Sequence, residues 1–349
     1  MSMILAAYFN ALDPIAVQLG PLAIRWYGLA YVLGFTGGYF LLVRLAKRGL
    51  IDLPPHRVAD ALLLLVLGVL LGGRLGYALV YDRGLLTGVS SSFPFWSLLA
   101  IHKGGMASHG GIAGVGVACW FISRGFRRSD NPALREGQTS FLHVTDIVSL
   151  CGPIGIFFGR LANFINGELL GQIVAGPGKP APWWSVRYPQ ELGTAQAPAL
   201  DPQQQGALTA LVDKVASPMD GYNAGLARLV ASAGRYRAEL EPLVSARHAS
   251  QLYQAVGEGL LVGVVVWLIA AKRRSPGVVT AWWLITYAVA RVVTEIWRLP
   301  DAQFAQGRPM GLSRGQWLSV AMAVVGAGIL LWVRRHAGVK RLGWAERRA

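Results

Sequence analysis

The sequence predicts an all-α polytopic membrane protein, and three observations predict this class. Of the 349 residues, 53% are hydrophobic and only 15% are charged, whereas soluble domains carry about 25% charged residues. The mean hydropathy is +0.42. Apolar segments long enough to cross a bilayer, which takes about 20 residues, recur along the chain.

Seven apolar segments are predicted to form transmembrane helices, although the fourth and the sixth contain charged residues. They lie near residues 22–43, 58–81, 105–123, 142–164, 255–271, 278–297 and 315–333. We therefore expect four helices within residues 1–164 and three within residues 255–333.

The placement of the basic residues predicts the orientation of these helices. Seventeen of the 33 lysines and arginines lie in the C-terminal tail and in alternate connections between the segments. These positions fall within residues 44–57, 124–135, 272–274 and 334–348. The positive-inside rule then predicts that the basic tail 334–349 is cytoplasmic and, with seven spans, that the N-terminus lies outside. Topology thus explains the net charge of +15, and we expect no nucleic-acid partner.

The connection 165–254 is far longer than the others and is expected on the outer side of the membrane. Its first half is rich in Pro, Ala, Gly and Gln, whereas residues 207–247 combine helical spacing with mixed charge. Two interpretations remain open, a small outer domain and a partly ordered arm.

Several kinds of site are not indicated. Cys119 and Cys151 lie in apolar stretches, which favours buried thiols over a disulfide framework. The six histidines are not spaced as metal ligands, and the sequence has neither a phosphate-cradling loop motif nor a nucleophile-elbow motif. The glycines between residues 68 and 76 favour helix packing. We therefore expect neither a metal nor a cofactor.

Ionisable residues inside the apolar segments mark candidate functional sites, because a charge in the bilayer is costly without a partner. Arg160, Asn163 and Glu168 fall within one broad face at the end of the fourth segment. A guanidinium offers a fork of donors suited to a phosphate. An anion site and a buried Arg–Glu pair joining two helices explain this pattern equally well.

The sixth segment carries a second stripe. Tyr287, Arg291, Glu295 and Arg298 are spaced so that all four lie on one helix face. A structural Arg291–Glu295 pair is again an equal alternative to a functional role. Two arginine-bearing stripes in separate segments nevertheless favour one anion site over two unrelated struts.

Four further residues stand out. His109 begins the third segment with glycines on both sides, which permit close backbone approach. Such a histidine is more often structural, but beside an anion site it can serve as a general base. Trp26 and Tyr27 are more typical of interface anchors than of site residues, and Arg74 in the second segment requires a partner.

The stretch GRLANFINGELLG (159–171) is similar to the signature of the prolipoprotein diacylglyceryl transferases. Five further segments resemble this family in the same order: IRWYGLAYVLGF (24–35), GGRLGY (72–77), GGMASHGG (104–111), ARVVTEIWRLPDAQF (290–304) and LSRGQWLS (312–319). The stretch HASQLYQ (248–254) departs from the family pattern, since Ala249 and Gln254 replace a proline and a glutamate. Glu258, one turn later, is the candidate substitute for that acidic group.

The resemblance implies an enzyme that transfers the diacylglyceryl group of phosphatidylglycerol to the lipobox cysteine of a prolipoprotein. The products would be a thioether and glycerol phosphate, in the first step of lipoprotein maturation. It also implies a multi-pass protein of the bacterial cytoplasmic (inner) membrane, with its active site toward the outer leaflet. The implied catalytic residues are His109, as the base, with Arg160 and Arg291. The implied substrate-binding residues are Tyr27, Asn163, Asn166, Glu168, Tyr287 and Glu295.

One function of a different class remains an alternative. A non-catalytic phospholipid transporter or scramblase could use the same arginines as a relay for lipid head groups. It predicts ionisable residues through the full depth of the membrane, whereas most lie in the predicted outer half, with Arg74 as the main exception.

Overall fold

A computed structural model describes residues 7–20, 22–89, 91, 93–100, 104–217, 221–299, 312–336 and 338–346. Contacts between Cα atoms divide the chain into two compact units. The first unit comprises Met1–Gly34, Pro153–Val264 and Leu284–Val324. The second unit comprises Phe35–Gly152, Val265–Trp283 and Val325–Ala349.

The described part of the chain is mostly helical. The helices are α1 (Trp26–Lys47), α2 (Val58–Val80), α3 (Gly84–Thr87), α4 (Ser108–Ser123), α5 (Phe141–Asn166), α6 (Pro202–Val215), α7 (Tyr222–Ala231), α8 (Arg237–Leu240), α9 (Ser250–Gln254), α10 (Val262–Ile269), α11 (Val278–Glu295) and α12 (Arg314–Arg335). The strands are β1 (Tyr8–Phe9), β2 (Ile15–Leu19), β3 (Leu22–Arg25), β4 (Phe126–Arg127), β5 (Arg135–Glu136), β6 (Ile173–Ala175), β7 (Val186–Arg187), β8 (Ala246–Arg247), β9 (Arg273–Arg274) and β10 (Arg341–Leu342). A π-helical stretch, Ala255–Leu261, joins α9 to α10.

Each of the seven predicted apolar segments coincides with a helix. The fifth segment begins at Ser250, five residues before its predicted start, and runs through α9, the π-helical stretch and α10. Within the described ranges, five helical runs are long and apolar enough to cross a membrane. They are Trp26–Lys47, Pro55–Val80, Phe141–Asn166, Ser250–Ile269 and Gly315–Arg335. The chain is therefore a polytopic membrane protein, while the count of seven spans and their orientation stay predictions.

In the second unit, α2 packs against α4 through glycines. A Cβ atom at Gly72 would lie 2.8 Å from the Cα of Gly114, and one at Gly76 would lie 2.6 Å from the Cα of Gly110. Any larger residue at these positions would push the two backbones apart. The prediction that the glycines between residues 68 and 76 serve helix packing is confirmed.

The C-terminal tail also packs within the second unit. Arg341 donates to Asp52 at 2.9 Å, and the indole of Trp344 stacks on Trp267 with ring centroids 4.9 Å apart. Burial would raise the pKa of Asp52, but hydrogen bonds from Thr139 and Arg341 outweigh it and hold this pKa below its usual value. The segment predicted as a basic tail thus contributes specific contacts as well as positive charge.

In the first unit, the connection 165–254 builds a small sheet with helices beside it. The strands bond in the order β1–β7–β8–β6, with β1 parallel to β7 and the other neighbours antiparallel. Phe9 of β1 shares a core with Val212 of α6 and Leu229 of α7. Glu191 and Arg247 form a fully buried ion pair. The described part of this connection is therefore folded around its own core.

Candidate active site

Glu258 lies in the π-helical stretch of the first unit and is fully buried. Its carboxylate accepts hydrogen bonds from four side chains on two other helices. The donors are Arg160 Nη2 at 2.8 Å, Thr294 Oγ1 at 2.9 Å, Tyr287 OH at 3.3 Å and Arg291 Nη1 at 3.4 Å. Both carboxylate oxygens are used, so the arginines of the two predicted stripes meet at one buried anion.

Glycines on both sides of Glu258 allow two helices to approach it. A Cβ at Gly257 would lie 3.1 Å from Cγ2 of Thr294 in α11, and one at Gly259 would lie 2.8 Å from the Cα of Phe157 in α5. π-Helical turns are rare in proteins, and those that occur are often found at functional sites. The sequence Gly-Glu-Gly thus places a carboxylate where α5 and α11 both come close.

Arg291 has a second carboxylate partner, Glu295, one turn later in α11. Arg291 Nη2 lies 2.7 Å from Glu295 Oε2, and Glu295 also accepts from the Ser313 hydroxyl at 3.2 Å. Arg298 Nη1 lies 3.8 Å from the same carboxylate. We call the following residues the guanidinium cluster: Arg160, Arg291, Arg298, Glu258 and Glu295. Three arginines and two glutamates give this cluster a net charge of +1, which complements a singly charged anion.

The guanidinium groups are partly accessible, whereas the carboxylate between them is not. The side chain of Arg160 is 18% exposed and that of Arg291 is 12% exposed, but that of Glu258 is 0% exposed. A guanidinium carries five N–H donors. The contacts of Arg160 and of Arg291 with carboxylates use only some of them. An anion can therefore add to these arginines while Glu258 stays in place.

Glu168 gathers a second group of predicted residues. It accepts hydrogen bonds from the Tyr27 hydroxyl at 2.6 Å, the Asn163 amide at 3.3 Å and the Asn166 amide at 3.4 Å. The Asn163 amide also donates to the Tyr27 hydroxyl. Glu168 itself is exposed, so this group offers amide and hydroxyl donors beside an accessible carboxylate.

The expectation that Glu168 continues the helical face of Arg160 is wrong. Helix α5 ends at Asn166, and Gly167 adopts a φ of +66°, which turns the chain out of the helix. Arg160 pairs instead with Glu258, 98 residues further along the chain. A helical spacing cannot predict a partner that another helix supplies.

Segment 248–254 holds the loop that follows α5. The buried Gln251 donates its side-chain amide to the carbonyl of Glu168, and Ser250 Oγ donates to the carbonyl of Leu169 at 2.8 Å. Tyr188, also buried, donates its hydroxyl to Gln251 Oε1 at 3.0 Å. These bonds fix the backbone that carries Glu168.

The acidic group expected near this segment is Glu258. Gln254, at the position where the family pattern has a glutamate, is fully buried, and its amide has no hydrogen-bond partner within the described ranges. Glu258 instead carries the contacts to Arg160 and Arg291. The substitution of Glu258 for the acidic group of the family pattern stays a prediction.

An aromatic group surrounds His248. The imidazole centroid lies 5.2 Å from the ring of Trp184, 6.0 Å from that of Tyr253 and 6.4 Å from that of Trp297. Burial against these rings disfavours the imidazolium and lowers the pKa of His248. The neutral form of the His248 imidazole is therefore favoured.

His109 lies in the second unit, in the first turn of α4, and its side chain is exposed. Its ring centroid is 5.8 Å from that of Tyr81. Cys119 is buried, Cys151 is half-buried, and both thiols are free.

The family of this chain follows from its similarity to known proteins. The profile of the prolipoprotein diacylglyceryl transferases matches residues 14–332. The chain belongs to this family. It is 37% identical to the phosphatidylglycerol--prolipoprotein diacylglyceryl transferase of Bdellovibrio bacteriovorus, over 95% of this chain and 96% of the relative. Proteins of the same name from Ralstonia pickettii and Nitrosomonas europaea are 36% and 33% identical, each over 93% of this chain and over 95% and 91% of the relative.

The predicted resemblance to the diacylglyceryl transferases is thus confirmed. The nine predicted site residues of this family member are distributed over the two units. Eight of the nine lie in the first unit, in two groups. Tyr287 and Glu295 join the two arginines around Glu258, while Tyr27, Asn163 and Asn166 contact Glu168. The ninth, His109, lies in the second unit.

Sequence reasoning understated one residue beside these arginines and missed another. Glu258 was expected only as a substitute acid, yet it is the shared partner of both arginines, and Thr294 was not expected at all. The available signal was an acidic residue between two glycines inside an apolar segment, since a charge placed there requires nearby cations.

Proposed function

We propose that this protein transfers the diacylglyceryl group of phosphatidylglycerol to the lipobox cysteine thiol of prolipoproteins. The observation that carries the proposal is the pair of partly accessible guanidinium groups held by the buried Glu258. Membership of the diacylglyceryl transferase family and the names of its relatives give the lipid and the protein substrate.

The reaction exchanges a C–O bond for a C–S bond. The cysteine thiolate attacks the carbon of the diacylglyceryl group that is bonded to the phosphate oxygen. The electron pair of the breaking C–O bond passes to that oxygen. The products are a diacylglyceryl thioether and glycerol phosphate. Arg160 and Arg291 bind the phosphate and stabilise the negative charge that grows on the leaving group. Tyr287 and Glu295 complete the surroundings of these arginines.

The remaining predicted residues receive roles from their chemistry. A neutral imidazole can accept a proton from a thiol, and in this proposal His109 accepts the thiol proton as a general base. Tyr27, Asn163 and Asn166 orient the lipid head group through hydrogen bonds, with Glu168 as their common partner.

The membrane arrangement is part of the same proposal. Seven helices span the bacterial cytoplasmic membrane, with the N-terminus and the connection 165–254 outside and the tail 334–349 in the cytoplasm. The alternation of basic connections supports this orientation. The reaction then takes place toward the outer leaflet, where the cysteine of a secreted prolipoprotein emerges.

The proposal is tested with purified full-length protein, phosphatidylglycerol vesicles and a synthetic peptide that carries a lipobox cysteine. We expect the mass of one diacylglyceryl group to appear on the peptide cysteine. Arg160→Ala and Arg291→Ala should each lower the rate by at least about 10²-fold, as expected when a group that stabilises transition-state charge is removed. Arg235→Ala is the matched control, because Arg235 is an exposed arginine of the same unit.

Absence of the mass shift in competent vesicles would refute the transferase. A scramblase is detected in the same vesicles by movement of labelled phosphatidylglycerol between leaflets without peptide. His109→Ala is measured separately, and a full rate in that variant would reject the base assignment while leaving the transferase intact.

A further inference from the structure

Arg74 lies in α2, within the second unit, and is only 5% exposed. Each of its five N–H groups meets a backbone carbonyl. Nε donates to Leu98 at 2.8 Å, Nη2 to Ser97 and Ala100 at 2.7 and 3.4 Å, and Nη1 to Gly104 and Gly105. A guanidinium has five such donors in all, so none remains for a ligand. Arg74 is therefore a structural cation and not a lipid relay.

The carbonyls that Arg74 binds belong to the chain just before α4. Gly105 adopts a φ of +79°, and a Cβ there would lie 2.6 Å from Arg74 Nη1 and 2.9 Å from the ring of Tyr77. The residue must therefore be glycine for the guanidinium to reach its carbonyl. One residue beyond Met106, the backbone N–H of Ala107 donates to the carbonyl of Gly73 at 2.9 Å. Residues of α2 thus fix the start of α4 from two directions.

The same face of α2 continues to His109. Tyr77 and Tyr81 follow Arg74 at spacings of three and seven residues, which places all three on one face of the helix. The rings of Tyr77 and Tyr81 stack with centroids 5.4 Å apart, and Tyr81 lies beside the imidazole of His109. The backbone of His109 and one side of its ring are therefore both set by this face.

We propose that Arg74 is a positioning residue for His109. By holding the carbonyls of residues 97, 98, 100, 104 and 105, it fixes where α4 begins and hence where its first-turn imidazole points. The catalytic part of this inference rests on the proposed role of His109 as the base. The structural part, that Arg74 orders the start of α4, stands without it.

The test combines amide hydrogen exchange with transfer kinetics on full-length Arg74→Gln protein. Glutamine has two N–H donors in place of five, so we expect the Ala107 amide to exchange at least about 10-fold faster. We expect kcat to fall about 10²-fold, the loss that a misplaced reacting group can cause. The KM for phosphatidylglycerol should stay unchanged, because the guanidinium cluster is intact.

Two further variants separate positioning from general damage. Arg74→Lys retains the charge with three donors and should fall between the wild type and Arg74→Gln in both exchange and kcat. Gly105→Ala leaves Arg74 in place but blocks its approach, and it should reproduce the effects of Arg74→Gln. Arg83→Gln is the matched control, since Arg83 is an exposed arginine that follows α2 in the same unit, and it should change neither readout.

The outcomes are distinct. Unchanged protection of Ala107 in folded Arg74→Gln protein would overturn the structural part, and the catalytic part with it. Faster exchange with an unchanged kcat would overturn the catalytic part. If His109→Ala has the full rate, the catalytic part fails with the base assignment, while the exchange result still decides whether Arg74 orders α4. If Arg74→Gln does not fold, Arg74→Lys and Gly105→Ala give the same comparison.

Discussion

Arg74 and the guanidinium cluster both place positive charge among apolar helices, but the charge is stabilised in different ways. Arg74 gives all five donors to neutral carbonyls. Arg160 and Arg291 share a fully buried carboxylate and keep 18% and 12% of their side chains exposed. A guanidinium whose donors are all used can only hold structure. One that keeps a counter-ion and spare donors can also bind an anion.

The strongest way to break this contrast is to remove the shared counter-ion with Glu258→Ala. Two guanidiniums would then be left close together without the carboxylate between them. Breaking a buried ion pair by removing one partner costs about 3–5 kcal/mol, so we expect a large fall in the midpoint of thermal unfolding and loss of diacylglyceryl transfer. Both are measured on protein in vesicles.

The matched control for this variant is Glu239→Ala, which removes an exposed carboxylate from the same unit. It should leave stability and transfer close to the wild type. Wild-type stability in Glu258→Ala would mean that the arginines do not depend on Glu258, and the contrast with Arg74 would disappear.

The sequence predicted the helices better than it predicted the partners within the site. Apolar length located all seven helices, because burial in lipid acts on each segment separately. The stripes of Arg160 and Arg291 were visible for the same reason, since spacing within one helix is local. Both arginines contact Glu258 because three helices pack together. Residue spacing within one helix cannot predict such a contact.

One smaller error, and one partner that the sequence left unnamed, have equally local causes. Glu168 was placed on the face of Arg160 because the helix was assumed to continue, whereas Gly167 ends it. Arg74 was expected to have a partner, and that partner is a set of backbone carbonyls. Any sequence can supply a carbonyl, so no residue type marks such a site.

A substitution of intermediate effect sharpens the contrast. Arg160→Lys retains the positive charge but replaces the planar fork by a compact ammonium. The ion pair with Glu258 can persist, so we expect the protein to fold, while kcat/KM for phosphatidylglycerol falls about 10²-fold through loss of phosphate contacts. The steady-state transfer assay checks this, with Arg235→Lys as the control.

The two arginines should then respond differently to the same change. Arg160→Lys is expected to leave the exchange of the Ala107 amide unchanged, whereas Arg74→Lys is expected to increase it. If the Ala107 amide exchanged equally in both variants, a lysine at position 74 would be sufficient to order the start of α4. The distinction between a binding arginine and a structural arginine would then lose its support.

The smallest expected effect belongs to Glu295→Gln. Glu295 approaches Arg291 at 2.7 Å, but its side chain is 12% exposed, and Arg291 retains Glu258 as a second carboxylate. The amide oxygen of glutamine can still accept from Ser313. Since glutamine keeps the size of the side chain and Arg291 keeps the carboxylate of Glu258, the loss in unfolding free energy should be well below that of Glu258→Ala. Denaturant titration of the two variants under identical conditions measures the difference. An equal loss would mean that Glu295 is as important to stability as the buried Glu258.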